Sequence, residues 1–66
     1  MRVLFNNCAI AIKCAFCDGK KLTLMTLDGE EYCAYYRTGD IALHTLHELI
    51  IHGYIAVNKL YKEDND

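Results

Sequence analysis

Two Asp-Gly dipeptides, Asp18-Gly19 and Asp28-Gly29, constrain this 66-residue chain more than any other feature. Asp-Gly between alternating apolar runs marks a tight hairpin, because a type I′ turn holds both central residues at positive φ. The runs on either side read as strands over residues 8–17, 20–27 and 30–37, rich in Ile, Leu, Thr and Tyr. With two-residue loops the registers follow. Phe16 faces Lys21, Cys14 faces Thr23 and Ile12 faces Met25 across the first turn. Leu27 faces Glu30, Met25 faces Tyr32 and Thr23 faces Ala34 across the second. One sheet face then carries Ile10, Ile12, Cys14, Phe16, Thr23, Met25, Leu27, Tyr32, Ala34 and Tyr36. The other carries Ala11, Lys13, Ala15, Leu22, Leu24, Thr26, Glu31, Cys33 and Tyr35. The first is apolar and the second half apolar, which predicts a helix over one and a partner chain over the other.

Thr38-Gly39-Asp40 breaks the alternation. Asp40 is an N-cap candidate and Gly53 a C-terminal stop, and between them Ala42, Leu43, Leu46, Leu49 and Ile50 recur at helical spacing. Residues 54–61, with Ile55 and Val57, read as a last strand. The expected fold is α+β: an antiparallel sheet of order β-β-β-α-β packed on one α-helix. Residues 1–66 leave room for a single domain. Domains this small bury only about 60% of their unfolded surface and often lean on a metal or a partner.

Seven Lys and Arg against nine Asp and Glu give a formal charge of −2, which disfavours gripping phosphates, so no direct nucleic-acid contact is expected. The acidic end, residues 63–66, reads as a solvated tail. The apolar runs are far shorter than the roughly 18 residues of a bilayer span, and no charged-then-apolar leader opens the chain. We therefore expect no membrane association and a cytoplasmic location, the host cytoplasm if the source is viral.

Four cysteines, Cys8, Cys14, Cys17 and Cys33, are then expected as thiols. Cys14-Ala15-Phe16-Cys17-Asp18-Gly19 has the form of a zinc knuckle, in which two thiolates three apart share one tetrahedral ion. Cys8, Cys33, His44 and His47 are candidates for the remaining ligands. The same pair also reads as two ordinary thiols on opposite faces of a hairpin. A redox CxxC would sit at a helix N-terminus rather than within a strand. His44, His47 and Glu48 flank the helix away from its stripe, with no nucleophile placed beside them, so no enzyme is expected. Tyr32, Tyr35 and Tyr36 crowd one strand beside Glu30 and Glu31. Tyr is enriched at interfaces for its large area and few rotamers, whereas core packing would account for Tyr32 and Tyr36 alone.

The stretch Leu22-Thr23-Leu24-Met25-Thr26-Leu27-Asp28-Gly29-Glu30-Glu31-Tyr32-Cys33-Ala34-Tyr35 resembles the central hairpin of the small uracil-DNA glycosylase inhibitors of phi29-like Bacillus phages. Gly39, a short helix and a final strand follow in the family's order, so the resemblance covers residues 22–61. Ala34 stands where the family strand carries a carboxylate, and the Cys-bearing segment before Lys20 has no counterpart. The resemblance implies a non-catalytic homodimer that mimics DNA in the glycosylase cleft. Tyr32 and Tyr35 would match the family's strand tyrosines, Glu31 and Glu48 would stand in for phosphates, and Glu30 is a further candidate partner contact. Leu46, Leu49 and Ile50 would line a dimer seam or an apolar pocket. The competing expectation is a zinc-stabilised adaptor or regulatory domain built on Cys14 and Cys17.

Overall fold

The computed structural model describes residues 1–62, so the acidic tail at 63–66 lies outside the described residues. Strands β1 (Arg2–Phe5), β2 (Cys8–Asp18), β3 (Lys21–Thr26) and β4 (Glu31–Tyr35) are followed by α1 (Gly39–His52), β5 (Tyr54–Ala56) and β6 (Tyr61–Lys62). They form one sheet of order β5-β1-β2-β3-β4-β6. The fold is α+β, one sheet against one helix. The sheet is mixed rather than wholly antiparallel, because β5 runs parallel to β1.

The N-terminal strand β1 is not expected from the Asp-Gly pattern. It is joined to β2 through Asn6 and Asn7, both at positive φ (50° and 63°), with Phe5 opposite Cys8. This is the I′ arrangement, made by Asn, the non-glycine residue that best tolerates the left-handed region. Nor is there one strand over residues 54–61. It divides into β5 and β6, which lie on opposite edges of the sheet.

Both expected registers are corrected, and the corrections build the core. In the first hairpin the central pair is Gly19 and Lys20, with Asp18 opposite Lys21 and Phe16 opposite Thr23. Gly19 has φ 63° and Lys20 is not among the positive-φ residues, as in a II′ turn with Gly first. This slip of two residues keeps every side chain on its face. A bulge between Ile12 and Cys14 does not, and it turns Ile12 to the face opposite Cys14. The second hairpin has a three-residue loop: Thr26 N–H donates to Glu30 C=O (2.9 Å) and Gly29 N–H to Thr26 C=O (3.1 Å). Gly29 sits at φ 88°, the left-handed position of a three-residue loop. Leu24 now faces Tyr32 and Leu22 faces Ala34. That one-residue shift carries Tyr32, Ala34 and Tyr36 to the side of Leu22 and Leu24.

The result is a single apolar side. Val3, Ile12, Leu22, Leu24, Leu49 and Ile55 form the buried cluster, with Ile10, Ala15, Tyr32, Tyr36, Leu46, Val57 and Leu60 packed against it. Laid flat, five inter-strand spacings would separate β5 from β6 by about 24 Å. The chain from residue 56 to residue 61 reaches at most about 18 Å. The sheet must therefore curl, and α1 and residues 57–60 close its concave side.

The helix is capped by Thr38, not Asp40: the Thr38 side-chain oxygen accepts from the Ile41 N–H at 3.2 Å. Asp40 instead sits in the first turn, where its charge complements the helix dipole. Gly53 ends the helix at φ 80°, its N–H donating to Leu49 C=O at 2.8 Å. The buried side of α1 is Ala42 and Leu49, with Leu46 packed against the core, whereas Leu43 and Ile50 lie exposed.

Candidate functional site

The side of the sheet turned away from α1 has no element over it among the described residues. Its centre is a cross-strand row, Phe16 (β2), Thr23 (β3), Cys33 (β4) and Tyr61 (β6), whose members pair directly. Residues directly opposite share a face. Adjacent rows add Asp18, Lys21 and Tyr35 on one side, and Cys14, Met25 and Glu31 on the other. Tyr35 and Tyr61 meet edge to face, ring centroids 5.7 Å apart.

Burial on this open side is informative. Thr23 and Cys33 are only 3% and 2% exposed, with no helix above them, so the surrounding side chains on the same face cover them. Those covering aromatics stay open: Phe16 49%, Tyr35 60% and Tyr61 49% exposed. At roughly 200 Å² per aromatic side chain they present on the order of 300 Å² of ring surface, the size at which a monomer's largest apolar patch is often functional.

The expected partner-binding residues do not share one surface. Tyr35 and Glu31 lie on the open side, whereas Tyr32 packs against the core on the opposite side of the sheet. Glu30 sits at the base of the β3–β4 loop, its carboxylate held by Lys62 Nζ at 2.9 Å. Glu48 belongs to the helix, on the other side of the sheet from Glu31. Its two oxygens meet His44 Nε2 at 3.3 Å and His52 Nε2 at 2.7 Å. Leu49 is fully buried and Leu46 is partly buried against the core, so of the three helix residues assigned to a seam only Ile50 is largely exposed. The reason is the width of the stripe: Ile50 lies one residue beyond Leu49 and rotates off the sheet.

Cys14 and Cys17 stand on opposite faces of β2, since Cys14 pairs with Met25 on the open side and Cys17 with Leu22 on the core side. Residues three apart in a strand diverge, so these two thiols do not converge on one ion. The Cys17 thiol instead donates to Gly19 C=O at 3.4 Å. Among the described residues no group of three or more His, Cys, Asp or Glu side chains is placed to hold a metal ion. No helix among them is long and apolar enough to cross a membrane.

On the concave side a cavity of about 360 Å³ opens between the end of β4 and the crossing segment, lined by Ala34, Tyr36, Val57 and Asn58 among others. Burial raises the Tyr36 phenol above its ordinary pKa of 10.0, partly offset by a hydrogen bond with Thr45.

Sequence reasoning missed Phe16 and Tyr61 as site residues. By alternation Phe16 falls on the more apolar of the two faces, with no role singled out for it, and Tyr61 ends the single final strand expected over residues 54–61. Phe16 shares a face with Thr23 under either turn; it is left open because the bulge after Ile12 and the three-residue loop at Gly29 move Ile12, Tyr32, Ala34 and Tyr36 to the opposite side. Compared with protein-family models, with curated proteins and with solved structures, the chain matches none of them.

Proposed function

We propose that this chain is a non-catalytic protein-binding inhibitor that docks through the open face of its sheet. In the form suggested by the hairpin resemblance, its target is a uracil-DNA glycosylase. The observation that carries the docking reading is the cluster of Phe16, Tyr35 and Tyr61, 49–60% exposed around the buried pair Thr23 and Cys33. Large rigid aromatics surrounding a covered centre, with Lys21, Asp18 and Glu31 at the margin, have the anatomy of an interface with an apolar middle and a charged rim.

The carboxylates support phosphate mimicry less than the aromatics support docking. Glu30 is engaged by Lys62, Glu48 is bracketed by two histidines, and Glu31 and Glu48 lie on opposite sides of the sheet. The inhibitor reading therefore rests on shape and aromatic contact, with acidic residues at the rim.

Titration of purified protein into a uracil-DNA glycosylase acting on uracil-containing DNA tests the target. Turnover should fall as protein is added, and Tyr35→Ala should weaken inhibition by about 1–3 kcal/mol while leaving the melting curve close to that of the parent. Unchanged turnover at excess protein rejects the glycosylase. A Tyr35→Ala chain that loses stability and inhibition in equal measure rejects the open face as the docking surface.

A further inference from the structure

A second surface lies at the free edge of β5. Arg2 N–H donates to Gly53 C=O at 2.9 Å, and Val57 N–H donates to Leu4 C=O at 3.0 Å. Main-chain groups alternate sides along a strand, so Gly53, Ile55 and Val57 are turned toward β1, and Tyr54 and Ala56 present theirs outward. β5 ends the strand order, so among the described residues no strand covers that edge. Beside it runs a groove of about 330 Å³ lined by Thr45, Glu48, His52, Tyr54, Ile55 and Ala56. One wall is the strand edge and the other the flank of α1. Within that flank the Glu48 carboxylate is oriented by His52 (2.7 Å) and His44 (3.3 Å).

We propose that this groove takes an extended peptide segment as an added strand on β5, with a Lys or Arg side chain opposite Ile55 reaching the Glu48 carboxylate. Strand addition of this kind draws affinity from main-chain hydrogen bonds and specificity from alternate side chains. Tyr54 and Ala56 each offer one N–H and one C=O outward. The incoming residue opposite Ile55 shares its face. Ile55 points to the helix side, where it is 7% exposed. A side chain there is directed along Thr45 toward Glu48 and His52. A long aliphatic stem lies on Ile55 and a cationic head forms a charge-assisted hydrogen bond with the carboxylate. An acidic side chain would meet like charge. The site is separate from the aromatic face, because it is formed by the helix and the opposite edge of the sheet.

The test is an NMR titration of the full ¹⁵N-labelled chain with the blocked pentapeptide Thr-Val-Lys-Val-Thr. Amide shifts should map to Tyr54, Ile55 and Ala56, and the His44 and His52 rings should shift. A Gln in place of the peptide's Lys should bind roughly three- to fivefold more weakly, as expected for a partly exposed ion pair. Glu48→Gln should abolish that preference. Ala56→Pro removes an outward N–H and leaves the ladder to β1 intact, so it should eliminate binding by a folded chain. If that variant fails to fold, the same peptide N-methylated at both Val residues must fail to bind the parent chain. Shifts confined to Phe16, Tyr35 and Tyr61, or no shifts at all, overturn the proposal, as does equal binding of the Lys and Gln peptides. Concentration-dependent shifts at β5 without peptide also overturn it, by identifying a second copy of the chain as the occupant.

Discussion

Leu49 and Ile50 are neighbours on the same helix and both belong to the apolar stripe read from the sequence. The structure separates them: Leu49 is 0% exposed and Ile50 61% exposed. Leu49→Ala removes fully packed methyl groups and leaves a cavity, a loss of about 2–5 kcal/mol. A domain of this length has a total stability of roughly 3–10 kcal/mol, so this one change removes a large part of it. Ile50 has only a little over a third of its side chain covered. Full burial of such a side chain contributes about 1.5–3 kcal/mol, so Ile50→Ala forfeits roughly 0.5–1 kcal/mol. The better helix propensity of Ala returns a few tenths of that. Urea unfolding followed by far-ultraviolet circular dichroism measures both. The midpoint should drop steeply for Leu49→Ala and barely move for Ile50→Ala. Equal losses would refute the assignment of faces, and a concentration-dependent loss in Ile50→Ala alone would place Ile50 in a seam between chains.

Three further outcomes follow from particular side chains. Thr38→Ala should cost about 1 kcal/mol by removing the cap on Ile41 N–H. Asp40→Ala acts only through the helix dipole, so its smaller effect should fade in high salt, and a larger loss for Asp40→Ala in urea melts would reinstate Asp40 as the cap. The Tyr36 phenol is raised above 10.0 in the folded chain. The unfolded chain therefore releases this proton first, and the stability Tyr36 contributes, full below pH 10, is lost as pH rises through the folded value. Urea melts near pH 8 and above pH 10 should show a decline that Tyr36→Phe reduces; an identical decline in Tyr36→Phe would refute the assignment. Because Cys14 and Cys17 diverge, a zinc chelator should leave the thermal melting curve in place, and loss of the fold on chelation would refute that placement.

Much of the architecture is legible in the residues. Asp-Gly turns locate two hairpins, the break at Thr38-Gly39 starts the helix, and Gly53 ends it at the expected residue. Tyr35 stands on the sheet face opposite Tyr32 and Tyr36 in both readings, because period-two alternation along one strand survives any change of register. Relations between strands are less secure. A loop of two or three residues around Asp28-Gly29 looks alike in sequence, yet the difference of one residue decides which face Tyr32 joins. Asn6-Asn7 is a hairpin signal of the same kind as Asp-Gly, and it marks β1 to a reader who gives Asn its tolerance for positive φ.

Local chemistry thus determined where this chain turns, where its helix lies and which residues alternate, since each depends on steric preferences within a few residues. Tertiary structure alone decided which face became core and which aromatics stayed open. The bulge after Ile12 and the extra loop residue at Gly29 bring Ile12, Tyr32, Ala34 and Tyr36 to the side of Leu22 and Leu24. That gathering minimises apolar exposure across the whole sheet, a quantity set by the sum of long-range contacts rather than by any single segment. Phe16, Tyr35 and Tyr61 are left clustered on the open side, with Tyr54 exposed at the far edge.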